Sequence, residues 1–355
     1  MKIAQIITEL KPSGPANVVK NIVDNLPEGT ESTVFYFRGP PTLDVSCETQ
    51  QIDFRNTGIL ESFDVVHSHG IRPDFLGVYA SLFNKKSVFI STLHNYVKDE
   101  LLNIYGRKAA TFVTPLWMSA WRRMDGLAVL TQDAYNYYRA NLPEKKLHVV
   151  HNGIRELAHT HELSPDDRVT MESLSERYHV LGTNAHLIKR KGIDQVVNVL
   201  SSAPECALVV VGDGPYRQEL VALAEKAGVA DRCWFTGYRD NVSAFLPYYD
   251  IYMMPSVSEG FGLALLEAMA VGLPCVCSDI GVFREILRDD EAAFFTVGDQ
   301  ASLQKAIVSA LEHRELLSER ARQRYLAQFT GEAMCQNYMT LYKDVLMEKG
   351  KAINP

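Results

Sequence analysis

The sequence predicts an α/β protein built from two doubly wound domains, and two observations carry that prediction. Short apolar runs rich in β-branched residues alternate with helix-like segments along the chain, which is typical of parallel strands with helices on both faces. The 355 residues suit two domains of ordinary size, and an apolar fraction of 46% is sufficient for two cores. We therefore expect two Rossmann-like domains, each with its own sheet.

The predicted strands fall into two series. The first comprises residues 2–8, 33–37, 64–68, 87–92, 126–130 and 147–151. The second begins near Tyr178 and includes residues 207–212, 233–236, 250–255, 274–278 and 292–297. The polar stretch 155–177 between them predicts a linker and a helix start. Its His159 and His161 lack a third candidate ligand, so we interpret them as solvated rather than metal-binding.

These patterns predict the domain organisation. We expect an N-terminal domain over residues 1–155, a linker over 156–177 and a C-terminal domain over 178–331. Residues 332–349 carry apolar side chains at helical spacing, including Tyr338 and Tyr342, and predict an amphipathic helix.

Composition and charge exclude several classes of protein. The net charge of −7 argues against nucleic acid as a main partner. The acidic residues concentrate in the second half of the chain, whereas the first half is near neutral, which suggests different roles for the two halves. The uncharged run after Lys2 is too short for a signal peptide, and no apolar run is long enough to span a membrane. We expect a cytoplasmic protein.

The most informative segment contains two glutamates, Glu259 and Glu267, separated by seven residues. Glycines follow the first glutamate, and a helix-like run carries the second. Free N–H groups at the start of a helix can hold anionic oxygens, and eight residues of helix rise about 12 Å. One carboxylate could then bind sugar hydroxyls and the other ribose hydroxyls, while N–H groups between them meet a phosphate. The residues expected to form this site are Glu259, Gly260, Phe261, Gly262, Leu263 and Glu267.

This segment, followed by Gly272-Leu273-Pro274, resembles the E-x7-E signature of retaining glycosyltransferases of family four. The resemblance implies the GT-B fold, in which two Rossmann-like domains face each other across a cleft. It implies that the C-terminal domain binds a nucleotide sugar, with Glu259 as a catalytic residue. It also implies that the helix over residues 332–349 packs back on the N-terminal domain.

A basic cluster, Lys189-Arg190-Lys191, precedes the predicted helix over residues 193–200. Cations are unfavourable at a helix N-terminus, so the cluster itself indicates an anionic ligand. The resemblance makes Lys191 the catalytic lysine that neutralises the pyrophosphate. His186 stands where family members usually have arginine; it lacks the guanidinium fork and can be uncharged near neutral pH. Three readings stay open: Arg190 or Lys189 supplies the charge, activity requires protonated His186, or catalysis is weakened.

Further positions enter through the resemblance. Gly212 and Gly214 match a G-x-G-P turn beside the nucleotide, and Tyr238 follows a strand near the base, where it either stacks or is simply exposed. In the N-terminal domain, Gly14 matches a glycine that approaches the donor phosphate and acceptor. His94 matches a catalytic histidine facing the donor sugar. His67 and His69 are interpreted as structural.

The resemblance also implies a mechanism. No D-x-D motif is present, and the enzymes resembled need neither a metal nor another cofactor. We expect transfer with retention, in which the leaving phosphate takes the proton of the acceptor hydroxyl and domain closure excludes water. The expected donor is UDP-linked. The expected acceptor is a glycan, lipid-linked by hypothesis, in bacterial O-antigen, capsule or exopolysaccharide synthesis.

A basic and aromatic segment raises the question of membrane contact. Arg107-Lys108 and Arg122-Arg123 bracket an apolar stretch, which could lie on an anionic membrane surface. A buried helix with basic ends is the alternative. The aromatic and apolar residues concerned are Phe112, Val113, Leu116, Trp117, Met118 and Trp121. The membrane reading places the protein peripherally on the inner face of the cell membrane.

Two other functions remain open at this stage. A sugar-nucleotide epimerase of the same fold would need no acceptor. A non-catalytic GT-B partner protein would keep the fold without the chemistry, and the substitution at His186 is the feature that supports it.

Overall fold

The computed structural model describes residues 1–157 and 162–351, which form two compact units. The first unit comprises Met1–Arg155 and the chain from Phe329 onward, and the second comprises Glu156–Gln328. His159 and His161, interpreted above as solvated, lie outside the described residues.

The first unit contains a seven-stranded parallel sheet in the order β3-β2-β1-β4-β5-β6-β7. Its strands are β1 (Lys2–Ile7), β2 (Glu31–Tyr36), β3 (Glu48–Gln51), β4 (Val65–His69), β5 (Val88–Leu93), β6 (Gly126–Val129) and β7 (Leu147–Val149). The strand order reverses between β1 and β4, and such a switch point is where open α/β sheets bind ligands.

Four helices connect the strands of this sheet: α1 (Gly14–Asp24), α2 (Ile71–Ser81), α3 (Val97–Trp121) and α4 (Gln132–Tyr138). The Ser13 hydroxyl caps α1 by accepting a hydrogen bond from the Ala16 N–H, and Pro15 lies in the first turn, where its missing N–H costs nothing. Helix α3 is bent at Gly106, whose φ of 80° is a backbone conformation that favours glycine.

The second unit contains a six-stranded parallel sheet in the order β10-β9-β8-β11-β12-β13, which reverses between β8 and β11. Its strands are β8 (His179–Asn184), β9 (Cys206–Val211), β10 (Cys233–Gly237), β11 (Ile251–Met254), β12 (Cys275–Ser278) and β13 (Ala293–Phe295). Its helices are α5 (Pro165–Ser175), α6 (Ile193–Val199), α7 (Arg217–Lys226), α8 (Leu263–Ala270), α9 (Gly281–Ile286), α10 (Gln300–Glu312) and α11 (Arg314–Gln328).

The helix α12 (Gly331–Glu348) belongs to the first unit. It packs against α1, and its Val345 closes over Gly126 so tightly that a Cβ there would lie 2.9 Å from the valine side chain. Tyr338 and Tyr342 of α12 are fully buried. The helix therefore contributes to the core of the first unit although the whole second unit separates it from that unit in sequence.

The predicted α/β fold class is confirmed. The ends given for the predicted strands lie within two residues of the ends of the observed strands. One strand was missed. Glu48–Gln51 forms β3 at the edge of the first sheet, and its sequence Glu-Thr-Gln-Gln contains no apolar residue. Periodicity cannot identify a short polar edge strand, because such a strand has no buried face to produce the pattern.

Helix α3 corrects the sequence-based view of the aromatic segment. Trp117, Met118 and Trp121 are buried, so they cannot face a membrane, whereas Phe112 is 76% exposed and Leu116 is 58% exposed. Among the described residues, no helix combines the length and apolarity required to cross a bilayer.

The two buried tryptophans donate their indole N–H groups to Asp74 of α2, over 2.7 Å from Trp117 and 2.8 Å from Trp121. The hydroxyls of Ser68 and Ser91 donate to the other carboxylate oxygen over 2.5 and 2.7 Å. Burial raises the pKa of Asp74 to about 6, so the carboxylate is ionised at pH 7, as four donors require. This carboxylate joins β4, β5, α2 and α3.

Candidate active site

The second unit gathers its candidate residues at the switch point of its sheet. The loop after β8 carries His186 and Lys191, and the loop after β11 carries Glu259. Because β8 and β11 are neighbours on which the strand order reverses, their following loops border the crevice where a ligand can enter.

Glu259 is the centre of this group and is only 6% exposed. One carboxylate oxygen forms an ion pair with the Lys191 ammonium and accepts a hydrogen bond from the Ser256 hydroxyl over 2.9 Å. The other oxygen lies 3.6 Å from the Arg190 guanidinium. A buried carboxylate needs such partners, because an unpaired charge would be costly to keep away from water.

Backbone contacts fix the spacing of the two loops. Gly192 has a φ of 62°, and a Cβ at this position would meet the Pro255 carbonyl oxygen at 2.1 Å, so no side chain fits. The Arg190 guanidinium donates to the Ser258 carbonyl over 2.7 Å, and the Val257 N–H donates to the Arg190 carbonyl over 2.9 Å. Lys191 and Glu259 are therefore held together by main-chain geometry as well as by charge.

The segment between Glu259 and Glu267 is not one continuous helix, although the estimate of about 12 Å from the sequence assumed that it was. Helix α8 begins at Leu263, after Gly262 with a φ of 96°, so only the last part of the spacing is helical. Four residues of helix rise about 6 Å. The first N–H groups of α8 have no partner within the helix and are suited to bind an anion. The Phe261 ring is buried, which leaves the backbone of residues 260–263 as the part suited to ligand contact.

Glu267 lies on α8, and burial raises its pKa to about 7. Burial raises the pKa of the Tyr252 phenol, and the negative charges of Glu267 and Glu259 add to this effect, so both carboxylates lie near this ring. The Tyr252 hydroxyl accepts a hydrogen bond from the Asn184 N–H over 3.2 Å at the end of β8. Both glutamates therefore lie near the same strand end.

His186 is exposed, and its Nδ1 lies 2.9 Å from the Asp213 carbonyl oxygen. A carbonyl only accepts, so Nδ1 carries the hydrogen and a neutral His186 offers a lone pair at Nε2. A Cβ at Gly212 or Gly214 would collide with backbone atoms of Ala185 or Leu187. These glycines let the 212–214 turn lie against the loop carrying His186. Tyr238 is 65% exposed at the end of β10.

The candidate residues of the first unit lie around its own switch point. Gly14 is exposed in the first turn of α1, and a Cβ there would touch nothing within 4 Å. His94 follows β5 and is half-buried, with its Nε2 3.0 Å from Nδ1 of His69. Burial lowers the pKa of His94 to about 4. His67 and His69 are buried and bonded to protein side chains.

Sequence reasoning missed several residues of both groups. Ser256 and Asn184 of the second unit, and Gln5 and Tyr342 of the first, have no motif that marks them. For Ser256, Asn184 and Gln5, their position in or directly after a strand was the available signal. Within residues 1–157 and 162–351, no three His, Cys, Asp or Glu side chains come together in a way that could hold a metal.

Comparisons with known proteins bear on this arrangement. The family model "Glycosyltransferase Family 4" matches residues 12–156, and "Glycosyl transferases group 1" matches residues 171–326. The O-antigen biosynthesis glycosyltransferase WclY of Escherichia coli is 30% identical, covering 98% of this chain and 99% of its own. The chain belongs to glycosyltransferase family 4.

Two further comparisons concern a less similar relative and a solved structure. The N-acetyl-alpha-D-glucosaminyl L-malate synthase of Bacillus anthracis is 27% identical over 81% of this chain and 76% of its own. The crystal structure of Anabaena HepE in complex with UDP has a TM-score of 0.81 at 17% identity, covering 97% of this chain and all of HepE. HepE was also solved with UDP-glucose, at a TM-score of 0.80 over 97% and 100% of the two chains. The predicted GT-B fold and family are confirmed.

Proposed function

We propose that this glycosyltransferase moves a sugar from a UDP-sugar to a glycan of a bacterial surface polysaccharide, with retention at the anomeric carbon. The observation that carries the proposal is the Lys191–Glu259 ion pair at the switch point of the second sheet, with Glu267 on the following helix. The UDP and UDP-glucose complexes of HepE and the O-antigen role in the name of WclY support the choice of donor and acceptor.

In this proposal the second unit binds the donor. Glu259 accepts hydrogen bonds from sugar hydroxyls, and Glu267 accepts them from the ribose. Lys191 and Arg190 face the pyrophosphate, with backbone N–H groups of residues 260–263 beside them. Ser256 keeps Glu259 oriented when Lys191 turns to the phosphate, since its hydroxyl donates to the same oxygen. His186, Gly212, Gly214 and Tyr238 border the nucleotide.

The proposed chemistry needs no resident metal or other cofactor. Departure of the nucleotide develops negative charge on the phosphate, and preorganised cations and N–H groups stabilise that charge without reorganisation. The departing oxygen takes the proton of the acceptor hydroxyl as the new bond forms on the same face. In the first unit, we propose that His94 binds a sugar hydroxyl and that Gly14 leaves room for a phosphate or the acceptor.

A donor screen tests this proposal. Purified protein is mixed with each common nucleotide sugar, and binding and slow hydrolysis are followed by NMR. We expect one UDP-sugar to be cleaved to the α-anomer of its sugar. Release of the β-anomer would refute retention, and binding without turnover by any acceptor would favour the non-catalytic partner protein. Conversion to an epimeric sugar without an acceptor would identify an epimerase.

We further propose that the acceptor is lipid-linked and that α3 contacts an anionic membrane. Phe112 and Leu116 lie one helical turn apart and are both exposed, with exposed Lys108 and Arg123 on either side in sequence. Apolar side chains flanked by cations fit the boundary between lipid headgroups and acyl chains.

Flotation with vesicles tests the membrane contact. The wild type is expected to float with vesicles containing anionic lipid, and the double variant Phe112→Ser/Leu116→Ser is expected to stay in solution. The matched control, Val169→Ser, removes an exposed apolar residue from α5 of the other unit. Equal flotation of the wild type and the double variant would refute the assignment of this surface.

A further inference from the structure

A continuous hydrogen-bonded chain runs behind His94 through the first unit. Nε2 of His94 meets Nδ1 of His69 at 3.0 Å, and Nε2 of His69 meets Oε1 of Gln5 at 2.9 Å. These three residues lie in or just after the neighbouring strands β5, β4 and β1. Gln5 and His69 are almost completely buried, so water does not substitute for any of these partners.

The same chain continues into α12. Nε2 of Gln5 donates to the Tyr342 hydroxyl over 3.2 Å, and that hydroxyl lies 2.8 Å from Nδ1 of His67. Nε2 of His67 lies 2.7 Å from the Thr92 hydroxyl, which is 3.0 Å from the Tyr338 hydroxyl. One line of hydrogen-bonded side chains therefore joins strands β1, β4 and β5 to α12.

The amide of Gln5 sets the direction of every hydrogen in this line. Its oxygen only accepts, so Nε2 of His69 carries a hydrogen, and neutral His69 must accept at Nδ1. His94 is then the donor at Nε2. On the other side, the Gln5 amide nitrogen donates to Tyr342, whose own hydrogen goes to Nδ1 of His67. Burial keeps all three imidazoles neutral by lowering the pKa of His67 to about 3, of His94 to about 4, and of His69 well below its usual value.

We propose that Gln5 and His69 are positioning residues that hold His94 as the neutral Nε2–H tautomer, so that its Nδ1 accepts a hydrogen bond from a sugar hydroxyl. Among the described residues, none hydrogen-bonds to Nδ1 of His94, and the ring is only half-buried. The tautomer follows from the side-chain geometry alone. Only the sugar hydroxyl rests on the function proposed above.

Long-range ¹H–¹⁵N NMR of the full chain, with ¹⁵N-labelled histidine, identifies which ring nitrogen of each histidine carries the hydrogen. The His94 signal is assigned by its absence in His94→Gln. We expect hydrogen on Nε2 and none on Nδ1 for His67, His69 and His94. Hydrogen on Nδ1 of His94 would overturn the proposal, because a rotated Gln5 amide reverses the entire line. This measurement uses the wild type and no donor, so its outcome is independent of the reaction.

Two substitutions at Gln5 test its control over the ring. A carboxylate at this position accepts hydrogen bonds from both neighbours, His69 and Tyr342, so Gln5→Glu keeps His94 as Nε2–H. Because the Tyr342 hydroxyl then donates to the carboxylate, His67 must donate from Nδ1 to the Tyr342 oxygen. Gln5→Leu removes the acceptor of His69 and is expected to give mixed tautomers at His94. An unchanged His94 signal in Gln5→Leu would refute control by Gln5. If either variant fails to fold, the wild-type spectrum still decides the tautomer.

Activity separates this positioning role from a structural one. Gln5→Leu is expected to lower kcat about tenfold, as expected for one weakened hydrogen bond, with KM for the donor little changed, and Gln5→Glu is expected to restore kcat. Slow hydrolysis of the donor without acceptor distinguishes which sugar supplies the hydroxyl. Loss of hydrolysis and transfer together indicates the donor sugar, and loss of transfer alone indicates the acceptor. Full transfer by a Gln5→Leu variant with mixed tautomers would refute the catalytic relevance of Nδ1.

Discussion

At the scale of single residues, the candidate site of the second unit depends on a carboxylate and an ammonium that form an ion pair. Lys191 has three hydrogens to donate, and Glu259 has two oxygens to accept. The ion pair uses only some of these hydrogens and oxygens, so each side chain can orient the other and still bind a ligand. Arg190 and Ser256 occupy the remaining sides of Glu259.

This pairing predicts a large effect of Lys191→Ala on transfer. The substitution removes the cation proposed to meet the leaving phosphate, so the transfer rate should fall roughly 10²- to 10³-fold. Lys226→Ala is the matched control, since Lys226 is exposed at the end of α7 of the same unit and should retain near-wild-type transfer. Circular dichroism checks that both variants are folded. Comparable rates for the two variants would contradict the assignment.

One side chain of the proposed donor site predicts an effect of pH on UDP binding. If Glu267 binds the ribose hydroxyls as proposed, it does so best when ionised, and burial raises its pKa to about 7. Acidification from pH 8 to 6 should therefore weaken UDP binding, which calorimetric titration across this range measures.

The variant Glu267→Gln should flatten this pH dependence while lowering the affinity for UDP at pH 8. A profile that stays as steep in Glu267→Gln would count against ribose binding by Glu267.

At the scale of elements, Asp74 determines how α3 lies on the sheet. Four buried donors converge on this carboxylate, two of them from tryptophans one turn apart on α3. An ionised carboxylate offers an acceptor oxygen to all four donors, whereas an amide would offer one to only a single pair. It fixes the buried face of α3 and thereby exposes Phe112 and Leu116 on another face.

We predict that Asp74→Asn destabilises the protein by about 2–4 kcal/mol, since an NH₂ group replaces one of the two charged acceptor oxygens that four buried donors share. Urea unfolding measures the loss, and the fluorescence of Trp117 and Trp121, two of the three tryptophans, should change in the native state. The control Asp133→Asn alters an exposed carboxyl in the first turn of α4 and should have a small effect. Equal midpoints for the two variants would show that Asp74 does not carry this role.

At the scale of the whole molecule, the sequence predicted every strand except the polar edge strand β3, because the other strands contain buried apolar runs. Glu259, Lys191 and His186 could be singled out because each lies in a local motif. The pairing of Lys191 with Glu259 could not be derived locally, because 68 residues separate them. The sequence also did not show at which residue α8 begins, because the 258–262 turn and the helix contain similar small and apolar residues.

The division into two units predicts where UDP protects the chain. If the second unit binds the donor, hydrogen exchange should slow in the loops after β8, β9 and β11 and at the start of α8. UDP at about 100 times its Kd should stabilise the unit that binds it by about 2.7 kcal/mol. Exchange–mass spectrometry of the full chain measures both units at once. Protection confined to the first unit would contradict the placement of the donor.

The contact between Gln5 and Tyr342 also has a consequence during synthesis, because 337 positions separate the two residues. A ribosome adding 5–20 residues per second needs about 17–67 s to travel from one to the other. During that interval β1 and β4 already exist as chain, but Gln5 and His67 lack their shared hydroxyl partner. The synthesis of the first unit therefore begins first and is completed after that of the second, because α12 is needed to supply the Tyr342 hydroxyl. An incompletely folded unit of this kind is a substrate for chaperones, so they have this interval in which to act on the first unit.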